Sequence, residues 1–256
     1  MRSLNAVIGK EFKEQYRSGK IYILLGVFAL IGIMNPFITK LTPVLLEKLS
    51  GELADQGFVV GKISTNALSS WEQFYKNIPL GLISFILMMG SILTKELESG
   101  TIILTLTKGL KRSKVIISKY FMMIVLWSVY YWMCFGITYG YNEFYWDNSI
   151  ANNIDMAAFF WWLFGILMIS ALIFVSSMSG SGGIVLAGTG LFYIIMVLAG
   201  MFPKISKYIC LRLTDGVEIL KGTVSVEDYL IPAVIAGAVS LFMLILSICI
   251  FNKRRI

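Results

Sequence analysis

Histidine is absent from all 256 residues, which removes His-based acid–base catalysis, Ser–His nucleophiles and the usual zinc sites. Cysteine is nearly as scarce. Cys134, Cys210 and Cys249 are scattered and odd in number, so they form neither a disulfide framework nor a metal pattern. Charge is thin, at 14% of residues against 57% hydrophobic, and a soluble domain of this length would carry more. A phosphate-binding loop is also missing: residues 57–62 place glycines before a lysine, but at the wrong spacing. No cleavable leader is expected. The first twenty residues are polar and charged, and no small-residue cleavage site follows the first apolar run.

What the chain has instead is long apolar runs and a mean hydropathy of +0.77. Six stretches lack Asp, Glu, Lys and Arg: 21–38, 78–93, 120–139, 157–177, 184–202 and 230–251. A bilayer core of about 30 Å asks for runs of roughly this length. Unpaired backbone groups are costly in lipid, so such runs must be helical, and the alternating pattern of a membrane barrel is absent. The sequence therefore predicts an all-α polytopic membrane protein with six transmembrane helices in one unit, 1–256. With no ionisable residue inside a span, proton coupling, voltage sensing and the usual cation sites are disfavoured. Any energy source must come from another polypeptide.

Six spans put both termini on one side, and Lys and Arg decide which. Fourteen fall in the N-terminal segment, the 95–119 segment and the tail, against eight in the opposite loops, so both termini are predicted to be cytoplasmic. This asymmetry accounts for the pI of about 9.2, and no basic patch interleaved with aromatics points to nucleic acid. Tyr139, Tyr141, Tyr145, Trp146, Trp161 and Trp162 read as an interfacial aromatic belt at the outer side. Thr42-Pro43 reads as the start of a separate outer helix carrying Leu45, Leu46, Leu49 and Leu53. A second helix is expected to run from about Ser69 into the second span. Residues 205–220 read as amphipathic and broken at Asp215-Gly216, and residues 179–183 as a tight inner turn. Asp147, Asp155, Asp215 and Glu218 are the default candidates for a membrane-embedded enzyme, but they read better as solvating the outer loops.

Two inner stretches stand out. Residues 1–20 form a basic amphipathic helix with Leu4, Val7, Ile8, Phe12 and Tyr16 on one arc and Lys10, Lys13 and Arg17 opposite, as in a helix lying in the membrane interface. Glu11 falls inside the apolar arc. It either snorkels to water or meets a cation on a cytoplasmic partner. Residues 95–119 place acids at the membrane exit, then Gly100, an apolar segment, Gly109 and a basic cluster, with Ser113 a plausible cap for the third span. Taken alone, a basic inner loop of this kind merely holds topology.

At this stretch the chain resembles the permease subunits of type-2 ABC exporters, the ABC-2 transporters. Lys95, Glu96, Glu98, Gly100, Thr101, Leu104, Leu106, Arg112 and Lys119 fall in register with that family's signature after the second span. Gly109 stands where proline is common, and Ile103 where an acid often follows Gly-Thr. Lys10, Glu11, Phe12 and Arg17 are similar to the family's connecting helix. The resemblance implies two permease chains, identical or different, with two cytoplasmic ATPase subunits beneath them in the bacterial plasma membrane. ATP and magnesium would be held by the ATPase, and no cofactor or metal by this chain. Residues 100–114 would be the coupling helix, with Glu98 and Arg112 anchoring the contact, and the second and fifth spans would line the path. The resemblance to short peptide and antibiotic exporters, including those for lantibiotic immunity and phenol-soluble modulins, implies hydrophobic or amphipathic cargo. A stand-alone channel, or a lipid or polysaccharide exporter permease of the same family, are the alternatives.

Overall fold

The computed structural model describes residues 2–54, 65–102, 107 and 110–254; for residues 2–6, 46 and 49–54 it describes the backbone alone. The helices are α1 (Arg2–Arg17), α2 (Lys20–Ala54), α3 (Ala67–Met89), α4 (Thr94–Glu98), α5 (Arg112–Tyr145), α6 (Ile154–Met178), α7 (Gly182–Gly200), α8 (Pro203–Ser206), α9 (Gly216–Leu220) and α10 (Glu227–Lys253). Short 3-10 turns lie at Asn148–Ile150 and Cys210–Thr214. Six segments are long and apolar enough to cross a membrane: Lys20–Leu45, Ala67–Glu98, Arg112–Tyr145, Ile154–Met178, Gly182–Gly200 and Glu227–Lys253. The fold is all-helical among the described residues.

The fourth span, α6, is the centre of the bundle. In its most apolar window 67% of residues are buried, against 17% in α7 and 22% in α10. The small side of α6 explains the tight seat. A Cβ on Gly165 would stand 2.2 Å from the Trp127 indole, so only glycine lets α5 and α6 approach this closely. Around that contact the aromatics interlock: the Tyr131 and Trp161 rings lie within 7° of parallel at 6.2 Å. Tyr131 donates to the Ala158 carbonyl (2.8 Å) and the Trp127 indole N–H to the Trp162 carbonyl (3.1 Å). Trp161 is thus a core residue, 1% exposed, and not part of an outer belt. Tyr139, Tyr141 and Tyr145 are exposed, as the belt requires, and Lys40 sits 3.6 Å over the Tyr145 ring.

Thr42-Pro43 does not start a new helix, because α2 runs unbroken through Pro36 and Pro43. The Thr42 hydroxyl donates back to the Ile38 carbonyl (2.8 Å), an interior bond and not a cap. A proline deprives the carbonyl four residues earlier of its donor. For Pro36 that carbonyl belongs to Gly32, and the Thr138 hydroxyl of α5 donates to it at 3.0 Å. A neighbouring helix thereby re-satisfies the backbone, as lipid surroundings demand. Asn35 donates to the same Thr138 hydroxyl (3.3 Å) and accepts from the Asn77 amide (2.9 Å), tying the first three spans together. Of the leucines expected on the separate outer helix, Leu45 is exposed.

The other connections follow the sequence more closely. Asn66 caps α3 by accepting from the Ser69 N–H (3.0 Å), and α3 continues into the second span. The Asp215-Gly216 break falls between the 3-10 turn and α9, and residues 179–181 form the turn between α6 and α7. Ser113 is not a cap: α5 already begins at Arg112, and its N-cap position is Lys111.

Candidate functional site at the basic end

α1, the 94–102 segment, the start of α5 and the end of α10 converge at one end of the bundle. The convergence is electrostatic. Lys119 on α5 is 1% exposed, and its ammonium lies 2.9 Å from Glu11 Oε2 of α1 and 3.0 Å from Glu96 Oε2 of α4. Glu96 Oε1 takes a second ammonium, that of Lys10, at 3.0 Å. Two cations and two anions thus form a neutral cluster joining three elements. Burial pushes the Glu11 carboxyl above the ordinary range, against the pull of Lys119. Burial also acts to lower the Lys10 ammonium, but the hydrogen bond and charge of Glu96 outweigh it and leave it raised. Glu11, Glu14 and Glu96 bring three carboxylate oxygens within 4.8 Å, the donor set of a cation site, but the Lys119 ammonium already contacts two of them.

The Glu-x-Glu-x-Gly-Thr stretch now has a physical reading. Glu96 is buried and holds both lysines, whereas Glu98 is exposed. Gly100 ends the α4 turn at φ +68°, a left-handed conformation that favours glycine. Thr101 then folds back, its hydroxyl donating to the Glu96 carbonyl at 3.3 Å. Ile102 is 1% exposed. Leu104 and Gly109 lie outside the described residues, as do residues 103–106, 108 and 109 of the expected coupling helix, 100–114.

Several assignments change. Glu11 neither snorkels nor waits for a partner's cation, because Lys119 of the same chain neutralises it. Glu96 and Lys119, two of the signature residues that the resemblance ties to ATPase coupling, are buried in the ion cluster. Arg112, expected as an outward anchor, turns to the last helix and bonds the Asn252 carbonyl (3.3 Å) and the Arg254 carbonyl. Phe12 packs on the core and Arg17 is exposed. The buried face of α1 is Glu11 and Gln15, one helical turn apart, while Tyr16 is 59% exposed.

Two residues went unremarked as site residues in the sequence. Lys20 donates to the Met88 carbonyl (2.7 Å), and Arg254 donates to the carbonyls of Ser177 (3.1 Å) and Ser179 (2.8 Å) at the end of α6. Cations at helix C-termini complement the exposed carbonyls and dipole there. The sequence signal is a basic residue at a span boundary, which topology counting absorbs without assigning a bond.

A slot of about 460 Å³ lies between α3, α6 and α7, walled by Leu82, Ile83, Trp161, Phe164 and Met168 and reaching Asp215. A second cavity, about 590 Å³, adjoins it and shares Tyr193, Thr214 and Asp215.

The six apolar helices define a multi-pass membrane protein. Its family follows from comparison: the ABC-2 family transporter proteins match residues 5–248, nearly the whole chain, and the chain belongs to that family. It is therefore a transmembrane component of an ABC transporter, of a family that normally works with an ABC ATPase. No curated protein and no solved structure matches the chain.

Proposed function

We propose that this chain is the permease of an ATP-driven exporter in the bacterial plasma membrane, with both termini cytoplasmic. It carries hydrophobic or amphipathic cargo, peptides or antibiotics foremost, out of the cell. Two permease chains pair, and two ATPase subunits, which hold the ATP and magnesium, dock at the basic end. The observation that carries this reading is the buried Lys10–Glu96–Lys119–Glu11 cluster. It binds the connecting helix and the third span to the residues that lead into segment 100–114. Arg112, at the far end of that segment, is tied to α10. A push on the segment is therefore delivered to α1, α5 and α10 together, while Lys95, Glu98 and Lys111 stay exposed for a partner.

Charge reversal at Glu98 tests the docking. Glu98→Lys should release the ATPase from the purified complex while leaving the permease's melting temperature unchanged. An intact complex with undiminished transport would remove docking from this end. Stimulation of the ATPase by amphipathic peptides tests the cargo class; indifference to them would sink it.

A further inference from the structure

We propose that the slot between α3, α6 and α7 binds the cationic end of an amphipath, an ammonium carried on an apolar body, with Asp215 as its counter-ion. The inference deepens the exporter reading by naming the cargo chemistry, and it rests on that reading for its biological sense. Of the described residues lining the slot, Asp215 alone is charged. The slot's one charged group is an acceptor, although the Tyr75 hydroxyl and the Trp161 indole N–H, both without a hydrogen-bond partner, add donors to the wall. The Thr189 hydroxyl proton is spent on the Val185 carbonyl (2.8 Å) and that of Thr214 on the Leu211 carbonyl (2.7 Å), and a carboxylate only accepts. An anionic head would meet repulsion here, and a hydrogen-bond donor would meet partners.

The shape agrees. The slot follows α3 from Tyr75 to Leu87, which at the helical rise is about 18 Å, and its volume makes it a narrow channel suited to an extended chain. Trp161, Phe164 and Tyr193 add aromatic rings, whose faces attract a desolvated ammonium. Asp215 stands at the junction with the second cavity. Among the described residues it makes no ion pair within 4.0 Å. The Arg212 guanidinium is turned over the Tyr229 ring, 5.1 Å away. Tyr229 itself donates to the Asp215 carbonyl (3.2 Å), Glu218 is close enough to raise the carboxyl, and Lys207 lines the second cavity. At the same end Tyr75 is 7% exposed, its ring is packed on Gly216, and its hydroxyl lacks a hydrogen-bond partner. Asp215 is exposed at the end of the slot, and partial desolvation, with Glu218 adding to it against Arg212, holds its carboxyl above the ordinary value. Ammonium binding should accordingly fade as pH falls through that raised range.

The test is equilibrium binding of radiolabelled dodecylamine to the full chain in phosphatidylcholine nanodiscs, with dodecanol as the neutral match. The expected result is a preference for the amine of at least tenfold, lost in Asp215→Asn and at low pH but kept in Glu218→Gln. Equal affinity for amine and alcohol, or a preference that survives Asp215→Asn, would overturn the proposal. If Asp215→Asn does not fold, the pH dependence of the wild-type preference decides, and a preference unchanged down to pH 4 overturns it. Competition by a short amphipathic peptide with a free N-terminus assigns the site to peptide amines. Competition by phosphatidylethanolamine in the disc assigns it to aminolipids, and competition by neither overturns it. No ATPase enters this measurement, so its failure leaves the exporter reading to be judged by co-purification.

Discussion

Lys119 shows how much one side chain can hold. Its ammonium is buried against two carboxylates, and removing one partner of a buried ion pair costs about 3–5 kcal/mol, since the other charge is left uncompensated. Lys119→Met should therefore lower the melting temperature in nanodiscs sharply at pH 7, while Lys13→Ala, at an exposed position of α1, should leave it unchanged. Glu11 gives a pH signature. Its carboxyl is raised by burial above the ordinary 4.5, so in the window just above that value the folded chain holds more protons than the unfolded one. Its contribution is fully present below that window and is lost as pH rises through it. Melting curves of the wild type should show this decline relative to Glu11→Gln as pH rises above the ordinary carboxyl value. Parallel curves would contradict the assignment. The sequence flagged Glu11 as out of place on its arc, and that oddity was the legible part. Its partner lay 108 residues away, and no spacing rule reaches that far.

At the scale of helices, the tightest joints are backbone contacts that side-chain pattern does not advertise. Gly165→Ala would drive a methyl into the Trp127 indole, and overpacking of this kind costs about 1–3 kcal/mol. A drop in melting temperature with unchanged helicity by circular dichroism is the expected result. Pro36 and Thr138 make a sharper case. Thr138→Val should destabilise by about 0.6–1.7 kcal/mol, the range for interhelical hydrogen bonds in membranes. Pro36→Ala in that background should restore much of the loss, because an alanine at this position supplies the backbone N–H that the Gly32 carbonyl lacks; additive effects would refute the compensation. The six spans were legible because apolar length is a property of the sequence alone. The continuity of α2 was not, since the donor that makes Pro36 tolerable comes from another helix. The aromatic residues were likewise legible as apolar but not as core: Trp161 and Trp162 are adjacent, yet Trp161 is buried and Trp162 is only partly so.

For the whole molecule, the basic end and the slot divide the work. At one end the ion cluster and the arginine–carbonyl ties unite α1, α4, α5, α6 and α10. Beyond it α7 is sparsely covered, and the slot lies along it. The Glu-x-Glu-x-Gly-Thr signature was readable as a family mark, and the structure supplies its physics in a buried glutamate, a left-handed glycine and a threonine folding back. The direction in which Arg112 points was not readable, because it depends on where the last helix ends. We propose that a separate ATPase powers this chain from its basic end. Affinity purification of the tagged chain from its own membranes, with mass spectrometry of what accompanies it, tests that most directly. The expected result is a soluble protein carrying a Gly-x-x-x-x-Gly-Lys-Ser/Thr loop, retained by the wild type and lost in Glu98→Lys. Recovery of this chain alone, with solute flux through liposomes in the absence of ATP, would contradict it.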